Sequence, residues 1–272
     1  MTYDCDSAAA NIKNNLNCAH IGSAVVFLPE VDSTNNLIKD YLKNGADEGL
    51  VTVAESQTTG RGRMGRIWHS PPETGIYLSI LLKPNLEADH LPRFTLLAGV
   101  AAVLTINEFS QQRANLKWPN DILINSKKVC GLLCELIQNQ GEPNGLIIGI
   151  GINVNHLPEN FPEDLKNTAT SLRMVNGSPL DRLTVIRSLL INMDREYQTY
   201  LTKGEHSVIR KWSLNSDLFG EKVSVKRGSV IITGTAVKLD KLGRLVLRRD
   251  NGHDEVIDSG EVTLRTGSKP RI

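Results

Sequence analysis

The sequence is poor in features that mark several specialised classes of protein. Its 272 residues include four cysteines, too few for the disulfide framework of a secreted scaffold. Its formal net charge is +1, so it lacks the broad basic field of a nucleic-acid-binding protein. Its N-terminus has no basic region followed by an apolar core, and its longest apolar stretch, residues 96–106, is too short to cross a bilayer. These absences predict a cytoplasmic protein that binds neither DNA nor a membrane.

The sequence also lacks the residue sets of nucleophilic catalysis and of zinc binding. No Ser-His-Asp or Cys-His arrangement can be located by motif. Cys130 and Cys134 lie in an apolar run with no histidine or further cysteine at zinc-site spacing, so we interpret them as core residues. What the chain does have is 40% hydrophobic residues over a length slightly beyond that of one typical core, which predicts two globular domains.

The most informative segment is residues 60–66, Gly-Arg-Gly-Arg-Met-Gly-Arg, which we call the arginine loop. Glycine lets the backbone approach a ligand closely, and arginine offers a fork of donors that fits phosphate or carboxylate. No acidic residue lies between Gln57 and His69, so the segment indicates a binding site for a small anion. An ordinary glycine-rich surface turn and a disordered nucleic-acid-binding segment are the alternatives.

Two known motifs with similar glycine spacing fit the arginine loop poorly. The Gly-x-Gly-x-x-Gly of a dinucleotide-binding fold requires a following helix, which Pro71, Pro72 and Gly75 would interrupt. A protein-kinase loop requires downstream His-Arg-Asp, Asp-Phe-Gly and Val-Ala-Ile-Lys elements, and the sequence contains none of them. The function of the loop therefore has to be inferred together with the rest of the chain.

The hydrophobic pattern predicts a mixed α/β domain. Helices are predicted after the capping residues 32–35, over residues 91–109 and over residues 180–201. Residues 1–22 are predicted to form at most a leader helix or a short edge strand. Strands are predicted at 25–28, 51–54, 76–82, 129–137 and 146–154, with a short strand ending at Lys117 and a hairpin turn at 125–127.

The pattern changes from about Gly220 onward. Four or five short alternating segments, separated by tight turns, follow within fewer than about fifty residues. Such a series predicts a small β-barrel. Because this module is too small to be the main catalytic body, we expect an accessory lid or docking domain.

Four further segments place polar residues at strand ends or turns. Residues 32–35, Asp-Ser-Thr-Asn, offer hydroxyls, an amide and free helix N–H groups, which plain helix capping would also explain. Residues 117–121, Lys-Trp-Pro-Asn-Asp, place a cation, a stacking ring and an amide on one turn, or form an ordinary β-edge turn. Lys128 precedes Gly131, where a ligand could lie against the sheet, although Lys128 could also be merely solvated. The glycines of residues 149–155, Gly-Ile-Gly-Ile-Asn-Val-Asn, also fit a β-bulge.

Taken together with the arginine loop, these motifs resemble the biotin protein ligase family. The loop extends to Gln-x-x-Gly-Arg-Gly-Arg-x-Gly-Arg-x-Trp over residues 57–68, and the resemblance covers roughly residues 22–266. It implies an α/β (α+β) fold with a mixed-sheet catalytic domain of the biotin/lipoate ligase type at 23–218 and an SH3-like barrel at 219–268. Members that also repress transcription carry a winged-helix domain first. Since residues 1–22 cannot encode one, we expect a monofunctional ligase.

The resemblance implies roles for individual positions. Biotin would be surrounded by Ser33, Thr34, Asn35, Gln57, Gly60, Arg61, Gly62, Arg63, Lys128 and Gly131. ATP or the adenylate would contact Arg63, Arg66, Trp68, Lys117, Asn120, Asp121, Asn153 and Arg265. The candidate catalytic cations are Arg63, Lys117 and Lys128. Met64 occupies a variable position of the family's loop, so its presence changes none of these expectations.

The reaction implied by the resemblance is the activation of biotin by ATP to biotinyl-5'-AMP, followed by transfer to a lysine. The partner would be the biotin-carrier domain of a carboxylase, and the enzyme would be a monomer or a homodimer. Mg²⁺ would be carried on ATP, with no metal site made by the protein alone. We expect the arginine loop to be mobile without ligand and to close over biotin, because a glycine-rich loop is costly to order.

Two other functions are considered. A lipoate-protein ligase-like acyl transferase would perform a similar activation, but the doubled Gly-Arg segment with Lys-Trp-Pro-Asn-Asp argues against it. A non-catalytic biotin-responsive regulator is disfavoured by the near-neutral charge and by the short segment before the catalytic part.

Overall fold

Two β-sheets, one of seven strands and one of five, organise the chain in the computed structural model, which describes residues 3–14, 16–84, 91–139 and 142–264. The larger sheet has the strand order β1-β2-β3-β7-β6-β5-β4. Only the β1–β2 pair is parallel among its described pairings, so the sheet is mixed. Its strands are β1 (Ala24–Val31), β2 (Leu50–Gln57), β3 (Gly75–Leu82), β4 (Ala114–Lys117), β5 (Asp121–Ile124), β6 (Lys127–Asn139) and β7 (Glu142–Asn153).

Six described helices accompany this sheet. Helix α2 packs on β2, β3 and β7, whereas α1 packs on β1, α5 on β3 and α3 on the strands from β4 to β7. No described helix combines the length and the apolar character needed to cross a membrane. The helices are α1 (Cys5–Asn14), α2 (Thr34–Lys43), α3 (Leu91–Phe109), α4 (Leu172–Asn176), α5 (Arg182–Lys203) and α6 (Glu205–Leu214).

The central strands are buried on both faces. In β3, Ile80 and Leu82 belong to the main core beneath α3 and α5, while Leu81 between them belongs to a separate cluster with Ile38 of α2. Successive side chains of a strand point to opposite faces, so an uninterrupted apolar run is what a sheet covered on both sides requires. This explains why the sequence of β3 shows no polar alternation.

The smaller sheet follows the helices. Its order is β11-β10-β9-β8-β12, and every described pairing is antiparallel. The expected C-terminal SH3-like module of short, turn-connected strands is confirmed in this region. Its strands are β8 (Lys222–Arg227), β9 (Val230–Leu239), β10 (Leu245–Arg248), β11 (Asp254–Ile257) and β12 (Glu261–Leu264).

Several local expectations from the sequence are confirmed. Helix α3 has the expected bounds, and the hairpin between β5 and β6 turns at Asn125 and Ser126, which have φ angles of 49° and 64°. Two adjacent positive φ values are typical of the tight turns that favour asparagine. Helix α5 starts two residues later than expected, because Asp181 is its N-cap and accepts hydrogen bonds from the first turn.

The remaining helices were anticipated only in part. Residues 5–14 form the helical alternative for the leader, and buried Ala8 and Ile12 attach it to the core. Helices α4 and α6 had no counterpart in the sequence expectations. The domain boundaries at residues 22 and 218 stay a prediction.

Candidate active site

A cavity of about 110 Å³ lies at the N-terminal end of α2, beneath the arginine loop. Its walls come from the ends of α2 and β2, from the middle of β3, β6 and β7, and from the turn before β5. All five sequence motifs contribute to it. The lining residues are Ser33, Thr34, Asn35, Gln57, Arg61, Gly62, Arg63, Arg66, Ile67, Trp68, Leu78, Asn120, Lys128, Gly131, Leu132, Leu133, Gly149, Ile150 and Gly151.

One polar group of the cavity is centred on Thr34 and Gln57. Gln57 Oε1 accepts a hydrogen bond from the backbone N–H of Thr34 at 2.9 Å and lies 3.3 Å from its hydroxyl. Gln57 Nε2 donates to Ser70 Oγ at 2.9 Å, and that hydroxyl donates to the carbonyl of Trp68 at the same distance. The end of β2, the start of α2 and the segment after the arginine loop are therefore tied together by one glutamine.

A second group is centred on Asn35. Its Oδ1 accepts from the hydroxyl of Ser79 at 2.5 Å, and its Nδ2 donates to Glu135 Oε2 at 2.7 Å. The hydroxyl of Ser79 also lies 2.7 Å from that of Thr34, which joins the two groups. Because these amide atoms bond to protein partners, Asn35 organises the wall of the cavity as well as lining it.

Ser79 and Glu135 were missed by the sequence reasoning. Ser79 interrupts the apolar run of β3, and Glu135 interrupts that of β6. A polar residue inside an otherwise apolar strand is the signal that could have identified both. Ser33, in contrast, was anticipated: it is buried beside the cavity as the N-cap of α2, and its hydroxyl makes no capping hydrogen bond. That hydroxyl is available to a ligand.

The arginine loop closes on itself as a short hairpin. The N–H of Gly62 donates to the carbonyl of Arg66 at 2.7 Å, and the N–H of Trp68 donates to Gly60 at 2.9 Å. Between them Met64 and Gly65 adopt φ angles of 57° and 75°, so the glycine supplies a left-handed conformation at little cost. Gly60 lines no described cavity; a side chain there would meet the carbonyl of Trp68 at 2.4 Å.

Acidic residues from other parts of the chain neutralise two of the three arginines. Arg61 makes two hydrogen bonds to Glu135, at 2.9 and 3.2 Å, and Arg66 pairs with Glu261 of β12. The absence of acids within the segment itself therefore gave an incomplete picture of its charge. Lys39 of α2 also binds Glu135, at 2.9 Å.

Neighbouring charges and hydrogen bonds determine the protonation state of Glu135. Burial raises the pKa of its carboxyl, but hydrogen bonds from Asn35 and Lys39, with the charges of Lys39 and Arg61, outweigh burial and hold the pKa below its ordinary value. The carboxylate stays ionised and anchors one side of the arginine loop to α2.

Arg63 differs from its two neighbours because it has no carboxylate partner within ion-pair distance in the described structure. Its only polar contact there is Nη1 donating to Asn120 Oδ1 at 3.0 Å. Burial lowers its pKa from the ordinary value, although the carboxylates of Asp121 and Glu261 oppose this shift. An arginine remains protonated under such conditions, so the cavity contains a partly buried cation whose charge is left for an anion.

Trp68 lies across two glycines of the sheet. Side chains at Gly131 and Gly151 would meet its ring at 2.9 and 2.4 Å, so both positions need glycine for the indole to fit. Lys128 Nζ lies 5.3 Å from the centre of the ring and 2.6 Å from Asp121 Oδ1. The indole N–H is buried without a hydrogen-bond partner among the described residues, which leaves it free to meet a ligand.

A second, smaller cavity of about 60 Å³ shares Trp68, Lys128 and Ile67 with the first. Asn153 lines it and is itself fixed, because its Nδ2 donates to the carbonyl of Thr170 at 3.0 Å. The rest of the wall is largely apolar. Its remaining lining residues are His69, Phe161, Leu165, Thr168 and Ala169.

The wall of the second cavity is held from behind by His156. Its ring stacks on that of Phe161, with centres 4.9 Å apart and an angle of 14° between the planes. Burial, with the nearby charges of His69 and Arg182, lowers the pKa of His156 to about 3. The imidazole is therefore neutral near pH 7 and acts as an aromatic support.

The remaining anticipated residues lie outside the first cavity. Lys117 faces a separate groove between β4 and β12, beside Val262 and Thr263. Asp121 lines neither of the two cavities and pairs with Lys128. Trp118, expected as a stacking ring, is buried instead against the five-stranded sheet, where its N–H donates to Gly243. Arg265 lies outside the described residues.

Comparison with known protein families gives two matches along the chain. Residues 27–153 match the model of the biotin/lipoate A/B protein ligase family, and residues 218–265 match that of the biotin protein ligase C terminal domain. The first covers the motif-bearing part of the large sheet and the second covers the small sheet. The fold and the site thus assign this chain to the class of biotin and lipoate protein ligases.

Individual relatives narrow this class. The chain is 36% identical over 243 residues to the bifunctional ligase/repressor BirA of Bacillus subtilis, covering 89% of this chain and 75% of that one. It is 30% identical to the biotin–[acetyl-CoA-carboxylase] ligase of Mycobacterium tuberculosis, covering 86% of each. A structure of the Aquifex aeolicus biotin protein ligase with biotin and ATP superposes with a TM-score of 0.77 at 34% identity, covering 89% of this chain and 99% of that one. The chain belongs to the biotin protein ligase family.

Proposed function

We propose that this protein activates the carboxylate of biotin with ATP and then transfers the biotinyl group to a lysine of a carrier domain. The observation that carries this proposal is the single cavity that all five motifs line. Support comes from the Aquifex aeolicus ligase, whose structure contains biotin and ATP. The enzyme is thus an ATP-dependent, AMP-forming biotin ligase.

Biotin is placed with its ureido ring at the α2 end of the cavity. There the hydroxyl of Ser33 has no capping bond, and Thr34 and Gln57 are fixed by each other. The apolar remainder of the cavity, including Leu78 and Leu132, suits the thiophane ring and the alkyl chain. In this orientation the carboxylate of biotin points toward Arg63.

The adenine of ATP is placed in the second cavity. Its apolar wall, with Phe161 held by His156, fits a flat aromatic base, and Trp68 and Lys128 border both cavities. Asn153 fixes one edge of this cavity. The α-phosphate would then lie near the junction of the two cavities, within reach of Arg63, Arg66 and Lys128.

The first step brings two negative groups together. A carboxylate oxygen of biotin attacks the α-phosphorus of ATP, a bond to phosphorus forms, and pyrophosphate leaves with the electron pair of the broken P–O bond. Arg63 and Lys128 reduce the repulsion between the reactants. A fixed donor at such a position is worth about 3 kcal/mol of transition-state stabilisation by analogy with oxyanion holes. Positioning and electrostatics therefore carry the step, with no protein nucleophile.

The second step transfers the biotinyl group. The neutral ε-amino group of the acceptor lysine attacks the carbonyl carbon of the mixed anhydride, AMP leaves, and the amine proton passes to solvent. The acceptor is the biotin-carrier domain of a carboxylase. Relatives named as acetyl-CoA-carboxylase ligases support this assignment.

Mg²⁺ is proposed to enter on the phosphates of ATP. The described residues form no group of three or more His, Cys, Asp or Glu side chains placed to hold a metal ion. The carboxylate of Asp121 pairs with Lys128. Phosphate oxygens are ligands that Mg²⁺ prefers, and the bound ion would neutralise charge on the leaving pyrophosphate.

The arginine loop is proposed to act as a flap over biotin and the adenylate. Met64 and Ile67 at its surface are exposed, and the loop is anchored on its two sides by Glu135 and Glu261. Hydrogen exchange of residues 60–66 should slow when biotin is added, because the ligand orders a loop that opens without it. Equal exchange with and without biotin would disprove the flap.

Transfer itself is tested by mass spectrometry of a carrier domain incubated with enzyme, ATP, Mg²⁺ and biotin. The proposal predicts a mass increase of one biotinyl group at a single lysine. The increase should be absent without ATP. An unmodified carrier under complete conditions, with biotinyl-5'-AMP also absent from solution, would contradict the proposed function.

A further inference from the structure

Trp118 lies at the boundary between the two sheets. Its side chain is buried, with 2% exposure, and its indole N–H donates to the carbonyl of Gly243 at 3.2 Å. Gly243 belongs to the turn between β9 and β10, residues 240–244. Because a buried indole N–H needs an acceptor, this bond fixes the ring with respect to that turn.

The turn itself is held by several hydrogen bonds. The carboxylate of Asp240 accepts the backbone N–H groups of Leu242 and Arg244, both at 2.9 Å, and the Nε–H of Arg244 at 2.7 Å. From the larger domain, Arg93 of α3 donates its Nε–H to the carbonyl of Lys241 at 2.9 Å. The turn is therefore held internally and is also attached to the larger domain.

Arg63 is connected to the segment that contains Trp118 through Asn120. Two residues after Trp118, Asn120 Oδ1 accepts the hydrogen bond from Arg63, while Asn120 Nδ2 donates to the carbonyl of Leu132 at 2.8 Å. Gly243, Trp118 and Arg63 also line one cavity of about 390 Å³. Since no carboxylate of the described residues lies within ion-pair distance of Arg63, the position of its guanidinium depends on Asn120.

We propose that Trp118 is a positioning residue for Arg63 in the activation of biotin, an inference that rests on the proposed function. The hydrogen bond from Trp118 to Gly243 fixes the turn at residues 118–120. The turn fixes the amide of Asn120, and that amide aims the guanidinium of Arg63 at the reacting phosphate. A displacement of about 1 Å at a catalytic group can reduce a rate by about 100-fold, so even a partial shift is measurable.

The test removes the indole N–H and keeps an aromatic ring. Trp118→Phe should lower kcat for biotin-dependent ATP–pyrophosphate exchange about ten-fold, a fraction of the effect of a full 1 Å misplacement, and leave KM for biotin within about two-fold. The matched control is Trp212→Phe, because Trp212 is equally buried, on α6, and lines none of the cavities described above. Equal losses of kcat in the two variants would overturn the proposal, since general packing would then explain both.

A double-mutant cycle separates positioning from a merely structural role. In an Asn120→Ala background, Trp118→Phe should lower kcat no further, because the hydrogen bond between Asn120 and Arg63 is already absent. Additive losses would overturn the proposal. If Trp118→Phe does not fold, Arg93→Gln loosens the same turn from the opposite side and should lower kcat a few-fold; an unchanged kcat would equally overturn it.

The wild-type protein distinguishes this inference from the proposed function. Absence of biotin-dependent exchange in the wild type would contradict the proposed function and, with it, the inference. An active wild type whose Trp118→Phe variant exchanges at the same rate would contradict the inference alone.

Discussion

The two ends of the first cavity differ in how far the protein satisfies its own polar groups. At the α2 end, Thr34, Asn35 and Gln57 are hydrogen-bonded to protein partners, and Ser79 and Glu135 complete that network. At the opposite end, Arg63 has one neutral partner in the described structure. The indole N–H of Trp68 has none there. Although the hydroxyl of Ser33 makes no capping hydrogen bond, the α2 end is more fully hydrogen-bonded within the protein than the opposite end.

This difference agrees with the positions proposed above for the two substrates. A neutral bicyclic ring is recognised by donors and acceptors whose directions are already fixed, because each misaligned polar group costs affinity. Charge that develops during the reaction is stabilised by fixed donors aimed at it, and a cation whose charge is not already neutralised, such as Arg63, contributes most. Substitutions at the α2 end should therefore change KM for biotin, and substitutions at the Arg63 end should change kcat.

The largest effect is expected for Arg63→Ala. Arg63 is the arginine of the loop that pairs with no carboxylate of the described residues, and its removal should lower kcat for ATP–pyrophosphate exchange by about 100-fold or more, as losing one well-placed donor does in other enzymes. The adenylate should also leak, which is measured as biotinyl-5'-AMP released into solution. Tight retention of the adenylate by this variant would count against the assignment of Arg63.

A smaller effect, confined to binding, is expected for Glu135→Gln. The amide cannot accept hydrogen bonds from Asn35, Lys39 and Arg61 together, and hydrogen bonds to charged groups are worth about 1.5–3 kcal/mol each. KM for biotin should rise about ten-fold with little change in kcat. Asp254→Asn is the matched control, because Asp254 pairs with Arg248 in the five-stranded sheet. A fall in kcat with unchanged KM would contradict the claim that the α2 end of the cavity serves binding of biotin.

Ser79→Ala should have a more modest effect of the same kind. The hydroxyl of Ser79 lies within hydrogen-bonding distance of Thr34 and Asn35, and a typical hydrogen bond contributes about 1 kcal/mol. KM for biotin should increase about five-fold in steady-state measurements. Thr105→Val removes another buried hydroxyl, in α3, and should leave KM unchanged. An equal increase in both variants would assign the effect to general destabilisation.

The smallest effect is expected for Glu261→Gln. Its pair with Arg66 is largely exposed, with side-chain exposures of 42% and 62%, and exposed pairs contribute about 0–1 kcal/mol. Because Arg66 keeps its charge, exchange rates should stay within about three-fold of the wild type. A loss of exchange rate as large as that of Arg63→Ala would show that the pair between Glu261 and Arg66 is essential for the position of the arginine loop, contrary to this expectation.

The sequence predicted those parts of the molecule that depend on local patterns. Helix α3 and the turn at Asn125 and Ser126 followed from hydrophobic periodicity and turn chemistry. Motif residues such as Ser33 and Lys128 meet at one cavity, while their roles toward biotin and ATP stay predictions. Family resemblance supplied the expectation that they would meet, since local patterns do not specify which distant segments meet.

What the sequence could not supply are contacts between distant positions. Glu135 and Glu261 neutralise arginines that lie 74 and 195 positions away in the chain, so counting charges near the arginine loop could not identify them. Trp118 shows the same limit, because a surface-turn motif gives no sign that its ring packs against Gly243. Such contacts depend on sheet order and domain packing, which local propensities do not determine.

Biotin-dependent ATP–pyrophosphate exchange tests the central claim most directly, because it reports formation of the adenylate in this cavity without requiring an acceptor. Labelled pyrophosphate should enter ATP when biotin is present, and neither lipoate nor buffer alone should support exchange. Exchange that lipoate supports equally well, or no exchange with biotin, would contradict the account.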